Sequence, residues 1–326
     1  MTPSQLRTFL AVADLGSVRA AAESLVVSQP AVSAVVASLQ RELGVPLVER
    51  EGRGLRITKA GTVLAGYARR LLGLFEEAAC AARAEADPET GTLRMAAVTT
   101  AGEHVVPALL ATFRAEHPLV EIGLEVGNRT RVAELLTGHR VDLAVGGRPA
   151  PGSGLVTLAE RPHELVVVAA PLRPPGGRHA RPPASRAITA AELGRRTWLV
   201  RETGSGTRAT ADELLAELGL DPPLLTVGSN GAVAESVRVG LGVALLSRDA
   251  VARQLEDGSL EELRAGPLPL HRNWCIVGRG GEVLPATAAM FLAHVSEARA
   301  AGSGTRGPFR RTSGEVADLA GGPRHP

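Results

Sequence analysis

The stretch from Ser17 to Leu43, SVRAAAESLVVSQPAVSAVVASLQREL, leaves a chain of this kind few folds. Its spacing predicts two helices joined by a tight turn. Ser17 is a side-chain N-cap for the first, Val18 to Leu25, and Val26-Val27 makes the turn. Ser28 then caps a second helix, with Pro30 in its first turn, where a missing N–H costs little. In that helix Val32, Val35, Val36, Leu39 and Leu43 fall at i, i+3, i+4, i+7 and i+11, one apolar stripe that must pack inward. The opposite face carries Gln29, Ser33, Ala34 and Ala37, all small or uncharged. Such a face can enter the DNA major groove closely, with Gln29 and Ser33 able to reach base edges. The same pattern also fits a two-helix corner of an ordinary helical domain, because helix-turn-helix signatures are short and degenerate.

The flanks favour the nucleic-acid reading. Ser4 to Ala13 predicts an opening helix with Leu6, Phe9, Leu10 and Ala13 on one face, packed beneath the pair. Gly44 is a natural helix end and Pro46 blocks continuation. Two short extended pieces, Leu47 to Arg50 and Leu55 to Ile57, enclose the turn Glu51-Gly52-Arg53-Gly54 and predict a β-hairpin. Arg50, Arg53 and Arg56 sit on or beside it. A basic hairpin after a helix-turn-helix is a wing, placed to touch phosphate or the minor groove; the plainer reading is a solvated basic hairpin. The whole chain carries a formal charge of only +2, yet Met1 to Leu72 holds nine basic and five acidic residues, a net +4. Aromatic residues are 2% of the 326, so stacking platforms for single strands are not expected.

Thr58 caps a third long element, expected to run to about Ala86. Leu64, Tyr67, Leu71, Leu74, Ala78 and Ala81 alternate spacings of three and four, a seam sustained for more than two heptads. A helix of this length needs a partner for its seam, and the economical partner is the same helix of a second subunit. Two heads joined in this way would meet a pseudo-palindromic site on double-stranded DNA. Asp87-Pro88 ends the helix, and Glu89 to Gly91 form a hinge.

From Thr92 the pattern changes to alternating strands and helices. Strands are expected at Leu93–Val98, Val120–Val126 and Val141–Val145, with helices at Glu103–Ala115 and Thr130–Leu136, a parallel doubly wound α/β unit. A second unit begins with a strand at Leu165–Ala169. An exposed loop, Pro171–Ser185, precedes strands at Trp198–Val200, Leu224–Val227, Val243–Leu246 and Asn273–Val277. Helices are expected at Thr207–Leu218, Gly231–Val239 and Pro285–Ala300. After about Gly302 the chain is rich in Gly, Pro and Arg and reads as disordered. The 44% hydrophobic content suffices for the cores this requires. Cys80 and Cys275 form no C-x-x-C and read as inert thiols rather than a disulfide or zinc site. With no leader and no long apolar run, the expectation is a cytoplasmic, nucleoid-associated protein without a membrane partner.

The run LRTFLAVADLGSVRAAAESLVVSQPAVSAVVASLQRELGVPLVEREGRGLRITKAG resembles the N-terminus of a LysR-type transcriptional regulator, and the likeness extends to about Ala300. The resemblance implies a winged helix-turn-helix in residues 1–58 and a dimerising linker helix with hinge in 59–90. It implies, in residues 91–300, an effector module of two Rossmann-like subdomains similar to periplasmic binding proteins. Its divisions would be 91–163 with about 270–300, and 164–269, leaving 301–326 as a tail. Ser28, Gln29, Pro30 and Ser33 with Arg50, Arg53 and Arg56 are then the DNA-binding set, and Leu64, Tyr67, Leu71, Leu74 and Ala78 the dimer seam. The family commonly forms dimers of dimers and regulates promoters according to a bound metabolite; RNA polymerase is a candidate partner. Ala34 departs from the family, which often has Arg or Gln there. AVTTAGEHVVP from Ala97, GNR from Gly127 and LVRETGSGTR from Leu199 look like the group governing carbon fixation and sulfur or nitrogen assimilation.

Ligands of open α/β sheets bind beyond the carboxyl ends of the strands. Three loops satisfy that rule: Thr99-Thr100, Gly127-Asn128-Arg129, and Glu202 to Thr207 with Gly204, Ser205 and Gly206. Free amides at helix starts favour an anion, hydroxyls of Thr99, Thr100, Ser205 and Thr207 add donors, and Arg201 or Arg208 supplies charge. Ser229-Asn230 would form another wall, or serve only as a cap. The expected effector is therefore a small anionic metabolite that closes one subdomain on the other. No nucleophile elbow, metal-ligand spacing or dinucleotide fingerprint marks an enzyme, and no cofactor or metal is expected.

Overall fold

The computed structural model describes residues 1–52, 54–172, 185–297 and 308–312. Arg53, most of the Pro171–Ser185 loop and most of the tail therefore lie outside the described residues. The N-terminal head begins with α1 (Pro3–Leu15), whose cap Thr2 and third residue Gln5 close a reciprocal capping box. It is followed by α2 (Val18–Leu25) and α3 (Gln29–Leu43), with Ser17 and Ser28 accepting from the amides of Ala20 and Ala31. Val12, Ala21, Ala22, Val32 and Val36 form one small core, and Phe9, Leu39, Leu47 and Ala65 a second. The expected stripe of α3 stops at Leu39; Leu43, the last residue before the Gly44 cap, is 41% exposed.

Strands β1 (Val48–Glu51) and β2 (Gly54–Ile57) pair antiparallel, Val48 opposite Ile57, as a wing. The helix α4 (Lys59–Ala86) has 28 residues, about 42 Å of rise. Ala68 and Leu72 pack with Leu6, and Leu64 joins them instead of the seam, because α1 lies against that side of α4. Farther along, Gly73 meets the carbonyl of Gly138 so closely that a Cβ would collide with it.

A 3₁₀ turn at Pro88–Thr90 leads into β3 (Thr92–Val98). The single helix expected over Glu103–Ala115 is two, α5 (Thr99–His104) and α6 (Val106–Glu116). Pro107 has no N–H for the carbonyl of Glu103, so the ladder breaks at Val105 and restarts. Then come β4 (Glu121–Gly127), α7 (Arg129–Thr137), β5 (Leu143–Gly146) and the 15-residue β6 (Leu155–Ala169). The second unit holds β7 (Arg186–Ala187), α8 (Ala190–Gly194), β8 (Trp198–Val200), α9 (Gly206–Glu217) and β9 (Leu224–Thr226). It continues through α10 (Asn230–Arg238), β10 (Val243–Ser247), α11 (Arg248–Glu256) and β11 (Glu261–Arg264). The chain returns along β12 (Leu270–Arg279) to α12 (Ala286–Glu297) and, after an undescribed stretch, β13 (Arg310–Arg311).

The main sheet runs β4-β3-β5-β12-β6-β10-β8-β9. The expected parallel pairing holds for β3 with β4 and β5 and for β8 with β9 and β10, but β12 runs antiparallel to β5, and β10 and β11 antiparallel to β6. Between the units it fails as well, since β6 and β12 run antiparallel from Leu155 opposite Arg279 to Leu165 opposite Leu270. This long pair is the crossover between subdomain I, around Phe113, Leu143 and Phe291, and subdomain II, around Trp198, Leu214 and Leu245. Its middle, Glu160 to Glu164, reads as loop because it is charged and holds Pro162. The charges are met across the sheet: Asn273 Nδ2 donates to Glu160 at 2.9 Å and Arg248 Nε to Glu164 at 2.6 Å.

The tail also departs from expectation. Arg310 and Arg311 pair with Glu160 and Ala159, and Phe309 is 1% exposed within the subdomain I core. One aromatic buried on an open strand edge outweighs the Gly/Pro-rich composition around it.

Candidate nucleic-acid interface and ligand cleft

In the head, α2 and α3 meet at 112°, within the range by which a helix-turn-helix sets its second helix into the major groove. Ser28, Gln29, Pro30, Ser33 and Ala34 are all exposed on the outer face of α3. On the wing Arg50 is exposed, but Arg56 is committed to Glu49 and, at 3.4 Å, to Glu51. Its charge is spent within the hairpin, so it is a poorer phosphate contact than its position in the sequence suggests. The acids at 49 and 51 alternate with the wing cations, which is the signal that would have shown it. Tyr67, Leu71, Leu74 and Ala78 lie exposed along α4.

In the effector module four of the expected residues are buried together at the mouth between subdomains: Thr100, Arg201, Ser205 and Asn230. Asn230 Nδ2 donates to Thr100 Oγ1 at 2.7 Å, a direct bond from subdomain II to subdomain I. Arg201 Nη1 donates to Asn230 Oδ1 at 2.7 Å. Its Nε and Nη2 grip Glu202 at 2.8 and 2.9 Å. These bonds hold the Glu202 carboxyl below the usual carboxylate range. Sequence reasoning places Glu202 in this loop but gives it no role; its adjacency to Arg201 is the available cue. Gly204, with φ +92°, faces the opposite loop, where a Cβ on it would stand 3.9 Å from Asn128 Nδ2.

Other expected residues are placed differently. Thr99 Oγ1 donates to the Gly127 carbonyl at 3.4 Å, joining two strand ends. Asn128 and Ser229 cap α7 and α10. Arg129 donates to the Arg148 carbonyl at 3.0 Å and is exposed, and Arg208 is paired with Asp212 at 2.8 Å. Gly206 and Thr207 open α9 beside the buried Ser205. A groove of about 470 Å³ opens between α5 and α11, lined by Glu103, His104, Asp249 and Arg253 among others; no expected effector residue lines it.

The crossover carries a second buried polar knot. His163 stacks on Trp274 with ring centroids 4.1 Å apart, and Trp274 Nε1 donates to Asp249 at 2.8 Å. Arg161 lies 3.7 Å from Asp249 and over the Phe309 ring. Burial pushes His163 down to about 4. Cys80 and Cys275 are free thiols, and burial pushes the Cys275 thiol up, away from the reactive thiolate. Among the described residues no single helix is long and apolar enough to cross a membrane.

Comparison with known proteins covers both halves. Residues 3–62 match a model described as a bacterial regulatory helix-turn-helix protein of the lysR family, and residues 86–300 one described as a LysR substrate binding domain. The chain is 35% identical over 295 residues to the HTH-type transcriptional regulator CbbR of Rhodospirillum rubrum, covering 90% of this chain and 95% of that protein. Full-length CbnR complexed with its target DNA superposes with a TM-score of 0.64 at 24% identity, over 90% of this chain and 99% of that one. The regulatory domain of Synechocystis PCC6803 CcmR, solved in complex with 2-PG, gives a TM-score of 0.55 at 27% identity, over 62% of this chain and 94% of that one.

Proposed function

The chain belongs to the LysR family of transcriptional regulators, and on that premise we propose that a small anionic metabolite, bound at Arg201, governs how it grips promoter DNA. It is a regulator and not an enzyme. One observation carries the ligand reading: the hydrogen-bonded chain from Glu202 through Arg201 and Asn230 to Thr100. A buried guanidinium must be neutralised. Glu202 does so here, and an incoming anion would take its place while gaining the amides at the start of α9. Because the same Arg201 holds the Asn230 that bonds Thr100, ligand exchange there biases the closure of one subdomain on the other. The CcmR complex with 2-PG supports a small ligand in this module.

On the DNA side Ser28, Gln29, Pro30 and Ser33 read bases, with Arg50 on phosphate. Pairing through α4 gives a homodimer, and two dimers a tetramer whose rearrangement alters promoter bending. The protein works in the cytoplasm on the nucleoid, with RNA polymerase as its transcriptional partner, and the reading asks for no cofactor.

Calorimetric titration of the full chain with inorganic phosphate and with phosphorylated and carboxylated metabolites tests the anion. One anion per chain is expected, bound at least tenfold more weakly by Arg201→Ala and more tightly by Glu202→Gln. If no anion binds while promoter DNA is still bound, the ligand reading fails.

A further inference from the structure

Two imidazoles of subdomain I, outside both sites above, lie close to one carboxylate. His117 follows α6, His294 lies on α12, and with Glu116 they present ligand atoms that all lie within 4.8 Å of one another. His294 Nδ1 is 3.0 Å from Glu116 Oε2, and its Nε2 is 3.0 Å from Thr112 Oγ1. The Thr112 hydroxyl donates its proton to the Leu109 carbonyl at 3.0 Å. With that proton placed, Thr112 Oγ1 can accept from His294 Nε2–H, so both ring nitrogens of His294 face oxygen, Nε2 the hydroxyl and Nδ1 the carboxylate. Without metal, a proton on Nδ1 closes that gap as a hydrogen bond to the carboxylate, and a metal ion bound here would displace it.

His117 is oriented to complete the set. Its Nδ1 lies 2.8 Å from Glu89, a carboxylate that only accepts, so Nδ1 carries the proton and Nε2 the lone pair. A second ring nitrogen tied to oxygen is how metal-ligating histidines are held. Phe113 backs both rings, with centroids 4.7 Å from His117 and 5.5 Å from His294. A second acid–histidine cluster among the described residues, Glu77, His139 and Glu282, differs in already containing its cation: Arg279 Nη2 donates to Glu77 at 2.7 Å.

We propose that Glu116, His117 and His294 bind one divalent transition metal of the zinc class, with solvent in the remaining position. Two neutral imidazoles and one carboxylate suit zinc, whereas Mg²⁺ and Ca²⁺ demand oxygen throughout. The ring centroids stand 6.4 Å apart, so closing to bonds of about 2.0–2.1 Å takes a shift on the order of an ångström. The ion staples α12 to the end of α6. Glu89, through His117, brings in the 3₁₀ turn that joins the linker helix to the effector module.

The test is calorimetric titration of the chelator-treated full-length chain with ZnCl₂, for wild type, His117→Gln, His294→Gln and Glu89→Gln, each checked for promoter binding. One Zn²⁺ per wild-type chain is expected, with affinity at least tenfold lower in either histidine variant. Glu89→Gln, which takes the negative charge off the orienting contact and leaves the three ligands in place, should weaken binding by up to about tenfold. Wild-type binding no tighter than that of the His117→Gln/His294→Gln double variant overturns the site. So does the absence of binding, which makes a proton the cation and the cluster an ordinary histidine–glutamate ion pair. If the histidine variants fail to fold, the visible absorption of Co²⁺ bound to wild type, expected to be lost in Glu116→Gln, decides the matter.

Discussion

Val26 holds the turn between α2 and α3 at φ 56° and ψ 45°, in the left-handed region, with its side chain 90% exposed. A β-branched residue there costs about 1–2 kcal/mol, and glycine occupies the same conformation freely at some cost in unfolded-chain entropy. Val26→Gly should therefore raise stability by about 0.5–1 kcal/mol in urea unfolding; a lower midpoint would show that the valine is not strained. Three residues on, Gln29 begins α3 with its side chain in solvent, while Ser28 alone supplies the cap. Gln29→Ala should leave the fold intact and relax preference at one base pair by about 1–3 kcal/mol. Site selection from a random duplex pool measures it, and an unchanged preferred sequence would take Gln29 out of base reading.

At the scale of elements, the helices of the head were legible because their caps and stripes are local. Ser17, Ser28 and Thr58 each cap the helix they predict. The crossover was illegible for the opposite reason. Glu160, Arg161 and Glu164 look solvated along the chain, yet they meet Asn273, Asp249 and Arg248, which are far away in sequence. The ligand cleft divides in the same way: its loops follow from strand ends, but the Asn230–Thr100 bond spans 130 positions. His163, at the centre of the crossover, has its Nδ1 buried without a side-chain hydrogen-bond partner among the described residues. Burial lowers it from 6.5 to about 4; Asp249 pulls upward, while Arg161 and Arg272 push further down. The unfolded chain thus takes up this proton as pH falls through 6.5, and the folded chain only near 4. Stability is complete above the higher value and declines between the two, by roughly 3 kcal/mol at the acid end. His163→Phe, which keeps a ring on Trp274, should flatten that decline in denaturation midpoints taken across the range; an unaltered slope would assign it to other groups. Phe309 closes the other face of this crossover, and Phe309→Ala should cost about 3–5 kcal/mol. Loss of amide protection at Leu158 to Glu160 in hydrogen exchange would locate the damage at the edge that β13 covers.

Across the whole molecule the question is what covers the free side of α4. One side is spent on α1 and, beyond Gly73, on subdomain I. The other leaves Val63, Tyr67, Leu71, Leu74 and Phe75 between 38% and 61% exposed on consecutive turns. Each such side chain is worth about 1.5–3 kcal/mol when fully buried. Five from each of two helices can offset an association cost of about 4–15 kcal/mol, whereas one or two could not. A two-fold pair of α4 helices puts Leu74 of both copies into one seam, so Leu74→Glu buries two carboxylates among apolar side chains. Sedimentation should then find monomers at micromolar concentration where wild type is dimeric. Monomers lose the tether that holds the second head over its half-site, an advantage of about 10²–10⁴ in effective affinity. Promoter binding should fall by that factor, whereas binding to an isolated half-site, which needs only one α3, should hold. If Leu74→Glu instead remains dimeric with full promoter affinity, a surface of the effector module carries the pairing, and the exposed strip of α4 belongs to another partner.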